Sequence, residues 1–499
     1  MGLSQIWYDG QALGTDPELW RKLASIQLSS PVGIALPAGF WLHEINSENY
    51  LEFAEAVGSG KFEIIAGSLT GAALPLLPRR DRLGQLEAFA EACSARFGVI
   101  PVAAWLPESG WEPDFPQLLV QAGYRYLWVS PEIAQAFNSE IPFVSSDEDC
   151  AVIVLPYQRL SDLEVAGIPL PGYGLAGTIP ENPNLHFGPS LLPDGKPGTL
   201  RNMVLQSAEI YDLWGKMLYG SGELEAARRP PAAAYEHLYW AQAAGAYSGD
   251  PWALRAAWRE LIRVENASEP RKYAWIEGNQ KDWEPDGNLE LAVESHTLSA
   301  YFRPARGGSL AGFDVRRASW PLLLTAGNER NLLDFLSTGD GESAPVHQLQ
   351  DQPYGASRYA DRVTLSYSGL LVGQSVEIRK VVQILHRREA LAIEWSLTNR
   401  GSTVLEGSAG FSLYFPLPAP DVWPASALDL SKPQRYDGPA EIEFYFPGIQ
   451  LKVRARLETK DSTIFHLPTP EGFSWHICRA LDLLPGRSRR ISLEIDVAL

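Results

Sequence analysis

The stretch VIPVAAWLPESGWEPDFPQLLVQAGYRYLWV, residues 99–129, decides the fold of this chain. Its apolar start, Val99 to Leu106, predicts a buried strand that ends just before the acid Glu108. That acid stands between Trp105 and Trp111. Indole rings stack on the C–H faces of sugars, and a carboxylate works on the anomeric carbon in glycoside chemistry. The pattern therefore predicts a sugar site with Glu108 as its acid and both tryptophans as substrate-binding residues; a surface loop acid beside two core tryptophans is the alternative.

The rest of this stretch predicts a strand–loop–helix–strand unit. A helical pattern runs from Phe115 to Ala122, Gly123 ends it, and a second strand pattern covers Tyr126 to Val129. In β/α folds, ligands and catalytic groups gather at the carboxyl ends of the strands. Glu108 follows such an end, so the site is expected there.

Composition limits the class of protein and its partners. The chain has 499 residues with 45% hydrophobic and 20% charged residues, which predicts a globular protein of more than one domain. The net charge of −18 argues against a nucleic-acid partner. The start MGLSQIWYDG has no basic segment followed by an apolar core, and no run is long enough to span a bilayer. We expect a cytoplasmic protein with no membrane partner; its oligomeric state stays open.

Three composition zones predict the fold class: α/β plus β. Residues 1–198 alternate strand and helix patterns, which favours a parallel sheet of βαβ units and then, from Gly172 to Gly198, a long loop. Residues 199–270 are helical in pattern, with three expected helices. Residues 271–499 read as short alternating strands separated by turns, which predicts a C-terminal antiparallel β-sandwich.

Several motifs resemble glycoside hydrolase family 57, most closely its 4-α-glucanotransferase and amylase members. AWLPESGWEP is similar to the family region whose Glu is the nucleophile, and Glu108 falls on that position. KFEIIAGSLTGAALPLLPRRDRLGQLE, GAYSGDPWALRAAWREL and RPARGGSLAGFDV are similar to further regions. The resemblance implies a shortened, incomplete (β/α)7-type barrel in residues 1–198, a helical subdomain and the sandwich, with an α-glucan or other oligosaccharide as ligand.

The chain departs from the family where the family carries its chemistry. The first region lacks both histidines, and Gln11 alone remains as a substrate-binding candidate. Gly71 and Ala72 stand where the family has an acidic residue before a proline. Aligned on Phe187 and Gly188, Asn182 takes the place of the acid/base Asp. An amide cannot donate the proton that the leaving oxygen needs.

Substitute acids remain open as candidates. Glu181 is next to the lost position and Asp194 lies in the same loop, so both are candidates for the acid/base. Asp147, Glu148 and Asp149 form a further acidic cluster. The eight histidines are scattered, so no metal site is predicted, and no cofactor is expected.

Three functions follow from these patterns, in order of preference. The first is a degenerate, family 57-like glycan-binding protein, a pseudoenzyme with weak or no glycosidase activity. The second is an active retaining α-glucan hydrolase or transglycosylase with a relocated acid/base. The third is a structural scaffold without sugar affinity.

Overall fold

The structure is a computed structural model in which most of the chain is described. No helix among the described residues is long and apolar enough to cross a membrane. The described residues are 5–8, 24–25, 32–35, 48–139, 142–147, 149–159, 163–165, 168–170, 172–175, 184–185, 189–268, 274–325, 327, 330–337, 349–371, 373–416, 423–424, 432–469 and 472–499.

The chain forms two compact units. Unit 1 comprises Met1–Leu205 and Leu238–Ser248, and unit 2 comprises Gln206–His237 and Gly249–Leu499. The predicted helical segment, residues 199–270, is therefore divided between the two units. The three-part division at residues 198 and 270 remains a prediction about domains.

Unit 1 combines short strands with helices that follow them. Its strands are β1 Gln5–Tyr8, β2 Val32–Ala35, β3 Phe62–Ile65, β4 Ala103–Trp105, β5 Tyr126–Val129, β6 Phe143–Asp147, β7 Cys150–Arg159, β8 Leu163–Val165, β9 Ile168–Leu170 and β10 Gly172–Leu175. Its helices are α1 Glu48–Gly58, α2 Arg79–Phe97, α3 Phe115–Gln121, α4 Pro131–Ala136 and α5 Leu200–Val204.

The main sheet of unit 1 has the strand order β3-β2-β1-β10-β7-β5-β4, with β6 paired to β7. A parallel bridge between Ala66 and Ala104 also joins the end of β3 to β4. In that bridge the Ala66 amide donates to Ala103 and the Trp105 amide donates to Ala66, at 2.9 and 2.7 Å. The bridge thus joins β3 and β4, the first and last strands of this order. The carboxyl end of β4 therefore lies next to that of β3.

One strand corrects the sequence prediction. Gly172–Leu175 forms β10 and pairs antiparallel with both β1 and β7, although Gly172 was expected to begin a long loop. The expectation of a parallel sheet therefore holds for β1–β2–β3 and for β4–β5–β7 but not across β10. The reason is that Gly and Pro in the surrounding segment masked a short strand whose backbone is paired on both sides.

Local signals explain the helices that position the site. α2 follows Pro78 and ends at Gly98, whose φ of +68° places it in the left-handed region. α4 begins after Ser130, whose hydroxyl accepts the Ile133 amide at 3.3 Å, with Pro131 in the first turn. The long helical pattern after residue 199 breaks into two helices because Ser207 caps a new one.

Unit 2 contains helices and an extensive β region. The remaining described helices are α6 Ala208–Ala226, α7 Ala232–Ala241 and α8 Pro251–Ser268, and the residues of α7 from Leu238 onward belong to unit 1. The strands are β11 Ile276–Lys281, β12 Glu290–Ser295, β13 Leu298–Arg303, β14 Ser309–Val315, β15 Trp320–Leu324, β16 Asp334–Ser337, β17 Gly355–Arg358, β18 Arg362–Leu371, β19 Gln374–Leu385, β20 Ala390–Asn399, β21 Leu405–Phe415, β22 Trp423–Pro424, β23 Gln434–Asp437, β24 Ala440–Phe446, β25 Leu451–Leu457, β26 Ser462–Thr469, β27 Gly472–Leu483 and β28 Ser488–Ala498.

The strands of unit 2 form three antiparallel sheets. Their orders are β11-β12-β13-β14-β15, then β16-β21-β27-β26-β23, then β17-β18-β19-β20-β28-β25-β24-β22. Alternate apolar side chains from all three sheets share one buried core. Alternation along β25, LKVRARL, buries every second residue and leaves lysine and arginine on the other face. The predicted C-terminal antiparallel β region is therefore present.

Candidate functional site

Glu108 lies on the turn that follows β4, at the carboxyl end of the parallel strands of unit 1. β4 is fully buried, and its register with β5 places Trp105 opposite Trp128. The turn closes when the Ser109 amide donates to Leu106 at 3.1 Å. Gly110 then adopts a φ of +64°, where a Cβ would lie 2.2 Å from the Leu191 carbonyl oxygen. A residue other than glycine would displace this turn.

Two serines hold the loop after β3 against the Glu108 turn. The Ser109 hydroxyl accepts the Leu74 amide at 3.1 Å and lies 3.4 Å from the Ala72 carbonyl oxygen. The Ser68 hydroxyl accepts the Ala72 amide from within the same loop. Gly71, with a φ of +67°, faces the carboxyl, since a Cβ there would lie 4.0 Å from Oε1 of Glu108. The acid thus faces a wall that carries no charge at Gly71 and Ala72.

The electrostatic setting of Glu108 favours its neutral form. Burial raises the pKa of this carboxyl from its ordinary value of 4.5 to about 7. Among the described residues, no side chain forms an ion pair or a hydrogen bond with its carboxyl oxygens. The neutral form of Glu108 is therefore populated near pH 7. That state suits a group that donates and accepts hydrogen bonds, whereas a nucleophile has to be ionised.

The two predicted substrate-binding tryptophans lie in different environments. Trp111 is only 1% exposed and packs edge-on against Phe115 and Phe137, with ring centroids 6.0 and 5.0 Å away. Its backbone pairs with Leu191 through two hydrogen bonds of 2.9 Å. In this arrangement the Trp111 indole is part of the core beneath the site and presents no face to a ligand.

Trp105 borders a cavity instead. Its ring is edge-on to Tyr157 at 5.5 Å, and both rings line a cavity of about 200 Å³ between the ends of β4 and β5. Of the two tryptophans, Trp105 is therefore the one placed to contact a ligand.

Asp194 has the properties of a surface acid. Its carboxylate is about half exposed and forms an ion pair of 2.6 Å with Lys196. Hydrogen bonds from the Lys196 side chain and backbone lower the pKa of Asp194 below its ordinary value. An acid that ionises this readily is poorly suited to protonate a leaving oxygen near neutral pH.

Two of the other candidate residues lie at the opposite end of the sheet, and the rest are not among the described residues. Asp147 and Asp149 flank the turn between β6 and β7, before the start of β7. Because β7 runs parallel to β5 and β4, this turn is at the end of the sheet opposite Glu108. Gln11, Glu148, Glu181 and Asn182 lie outside the described residues.

Sequence reasoning missed one carboxylate at this end of the sheet. Glu132 follows β5 in the first turn of α4 and lines the same cavity as Trp105. The signal was present in the chain, since WLPE at residues 105–108 and WVSPE at 128–132 both place a Glu shortly after a strand-ending Trp.

Glu108 lies in the part of the chain that matches a known family model. Residues 13–164 match the family model "Glycosyl hydrolase family 57", which confirms the resemblance drawn from the Glu108 segment.

Two known proteins show where the similarity lies. The crystal structure of the 4-α-glucanotransferase from Thermococcus litoralis superposes with a TM-score of 0.72, covering 100% of this chain and 99% of that one at 13% identity. α-Amylase 1 of Dictyoglomus thermophilum is 27% identical over 89 residues, which span 18% of this chain and 13% of the amylase. The first comparison shows a common fold over the whole chain, and the second is confined to a small part of the amylase.

Proposed function

We propose that this chain binds an α-glucan or a related oligosaccharide at the Glu108 turn and has weak or no glycosidase activity. Three observations support the proposal. Glu108 follows the carboxyl end of β4, Trp105 borders a cavity beside it, and the family match covers both residues. The relatives named above are a glucanotransferase and an amylase, so α-glucan is the ligand class to test first.

The single observation that carries the proposal is that no side chain among the described residues pairs with the Glu108 carboxyl. Its pKa of about 7 and its neutral neighbour Gly71 favour hydrogen bonding to sugar hydroxyls over nucleophilic attack. A retaining glycosidase also needs a second carboxyl about 5–5.5 Å from the first. Asp194, a predicted substitute for the acid/base, accepts a hydrogen bond from the Lys196 ammonium group. These features favour binding over turnover.

Calorimetric titration with maltooligosaccharides, together with an assay for hydrolysis and transfer, tests the proposal. We expect saccharide binding to the natural chain with little or no turnover. Glu108→Ala should weaken binding more than Glu108→Gln, because the amide keeps one donor and one acceptor in the same volume. Glu91→Gln, an exposed acid on α2, is the matched control and should bind like the natural chain.

The same experiment separates the two alternatives. Turnover that Glu108→Gln abolishes would establish an active hydrolase or transglycosylase with a relocated acid/base. Absence of any saccharide binding by the folded chain would leave the scaffold as the function.

A further inference from the structure

The cavity beside Trp105 is distinct from the surroundings of the Glu108 carboxyl. Pro107 and Gly110, on either side of Glu108, line it, but Glu108 itself faces Gly71 on the side of β3. Trp128, Ser130 and Glu132, which lie on β5 or shortly after it, contribute to its wall. The end of the sheet therefore carries two carboxylates that face two different spaces.

A repeated arrangement generates this geometry. Trp105 and Trp128 are paired in register on neighbouring parallel strands. Each is followed within four residues by a proline and a glutamate, so Glu108 and Glu132 emerge from the same end of the sheet. Parallel pairing thus places a second indole and a second carboxylate beside the first pair.

Trp128 contributes a buried donor to the cavity wall. Its side chain is 1% exposed, and its indole Nε1–H has no acceptor among the described residues. Buried donors in folded proteins are nearly always paired, so one that lines a cavity is a place for a ligand oxygen. The Ser130 hydroxyl, which accepts the Ile133 amide, still has its own proton to donate.

Glu132 supplies the complementary acceptor. It is the only charged residue among the described residues that line the cavity, and its side chain is exposed. A donor at Trp128 and an acceptor at Glu132, set among aromatic rings, match the alternation of C–H faces and hydroxyl groups on a pyranose ring.

The segment 189–198 packs over both strand ends. The Ser190 hydroxyl donates to Glu112 at 2.6 Å, and a Cβ on Gly195 would lie 2.6 Å from the carbonyl of Glu132. Pro193 from this segment joins the cavity wall. The wall is therefore built from four separate parts of unit 1: the ends of β4 and β5 with the residues that follow each, Tyr157 of β7, and Pro193.

The volume of the cavity limits the size of the ligand that it can hold. At about 200 Å³ it is smaller than the roughly 300–1,000 Å³ of sites for drug-sized ligands. An apolar cavity of about 150 Å³ accepts a benzene ring, so this one accommodates a single six-membered ring with its substituents.

We propose that this cavity binds one hexopyranose ring, the terminal unit of an oligosaccharide, through the Trp128 indole N–H and the Glu132 carboxylate. The inference rests on the proposed function and specifies which part of the saccharide is held beside Glu108. Trp105 and Tyr157 supply the aromatic walls, and Glu108 contacts the saccharide outside this cavity.

Two variants and one spectroscopic signal test the assignment. Maltose and maltohexaose are titrated into the full chain and into Trp128→Phe, Glu132→Gln, Glu108→Gln and the control Glu91→Gln. We expect Trp128→Phe to weaken binding of both sugars about tenfold, the effect of losing one hydrogen bond. Glu132→Gln should weaken it as well, because a neutral amide oxygen is a weaker acceptor than a carboxylate, and the control should be unchanged. In ¹⁵N-indole spectra, the resonance missing from Trp128→Phe should shift on addition of maltose to the natural chain.

The outcomes separate this inference from the proposed function. If sugars bind and Glu108→Ala, titrated in the same way, weakens their binding while Trp128→Phe and Glu132→Gln do not, the cavity assignment is wrong and the Glu108 site stands. If the cavity variants weaken binding and Glu108→Ala does not, the cavity assignment stands and the Glu108 site is wrong. If no sugar binds, both fail. Because Glu132 is exposed, its variant keeps the test decisive even if Trp128→Phe lowers the melting temperature.

Discussion

Glu108 in unit 1 is partly buried, the acids of one charge cluster in unit 2 are buried, and the partners of the two differ. In unit 2, Lys216 lies 2.7 Å from both Glu265 and Asp314. Arg303 contacts Glu284 at 2.6 Å and also pairs with Asp212. In unit 1, Glu108 has no cation in contact among the described residues, and its nearest loop presents Gly71.

The difference shows that a shifted pKa alone does not identify a functional acid. Burial, helped by the neighbouring Glu284, raises the pKa of Glu290 to about 8, which exceeds the shift at Glu108. Yet Glu290 accepts the Trp283 amide at 3.0 Å and lies 3.5 Å from Arg303. Its oxygens are used within the fold, whereas no side chain among the described residues pairs with those of Glu108. Perturbation together with unused hydrogen-bonding capacity distinguishes the candidate site.

The ion pair between Arg303 and Glu284 in unit 2 also depends on the backbone of α6. A Cβ on Gly215 of α6 would lie 1.8 Å from Oε1 of Glu284 and 2.5 Å from a guanidinium nitrogen of Arg303. Only glycine lets this ion pair lie so close to the helix. We infer a structural role for these charges.

The largest effect should come from removing the central cation of that network. Arg303→Met leaves Asp212, Glu284 and Glu290 without their shared partner, and breaking a buried pair in this way costs about 3–5 kcal/mol. Urea unfolding at pH 7 measures it. Arg454→Met, which removes a partly exposed pair with Glu443, should cost about 1 kcal/mol or less. Equal costs for the two variants would contradict the structural role inferred for the buried charges of unit 2.

The next effect concerns the pH dependence of stability at Glu108. The unfolded chain releases this proton near pH 4.5 and the folded chain near pH 7, so ionisation of Glu108 destabilises the fold as the pH rises through this interval. Glu108→Gln carries no such proton. Its free energy of unfolding should match that of the natural chain at pH 4 and exceed it by about 2 kcal/mol at pH 8.5, allowing for partial exposure.

Urea unfolding at several pH values checks that prediction. Glu91→Gln serves as the control and should show no pH-dependent difference from the natural chain. A stability gap for Glu108→Gln that stays constant from pH 4 to 8.5 would show that the Glu108 carboxyl is not perturbed.

A smaller effect is expected from the support beneath the site. Ser109→Ala removes the acceptor of the buried Leu74 amide, which should cost about 1–2 kcal/mol in unfolding free energy. Loosening of the loop around Gly71 should also lower the pKa of Glu108, seen as a smaller pH-dependent gap when combined with Glu108→Gln. The exposed Ser248→Ala is the control. An unchanged stability for Ser109→Ala would mean that this loop is held by other contacts.

The smallest effect should come from Asp194. Its ion pair with Lys196 is exposed, so Asp194→Asn should change the unfolding free energy by less than about 0.5 kcal/mol and leave saccharide affinity unchanged. Calorimetry and urea unfolding measure both. A loss of turnover in this variant would instead restore Asp194 as the acid/base.

Much of the local structure around the site was predictable from the chain. The strand Tyr126–Val129 has the predicted bounds, and the helix Phe115–Gln121 ends one residue before the predicted Ala122. The first strand was predicted too long, since only Ala103–Trp105 is paired. These elements are set by local patterns of apolar residues and by Gly and Pro, which a sequence displays directly.

The contacts of the site were not predictable in the same way. The spacing of Trp105, Glu108 and Trp111 does not say that one indole borders a cavity while the other is core. Nor does it say that Glu108 faces Gly71, or that Glu132 shares a cavity with Trp105. Each of these depends on which strands are neighbours and in what register.

The sequence by itself determined that an acid follows a buried strand in a family 57-like chain, because strand patterns and motifs are local properties. The tertiary structure decided which partners that acid has. Glu108 and Glu290 are both glutamates near strands, and burial raises the pKa of both. They differ because folding brings Arg303 and the Trp283 amide to Glu290, whereas Glu108 faces Gly71 and contacts no cation among the described residues. Coulomb and hydrogen-bond energies act over a few ångströms in space, whatever the separation along the chain.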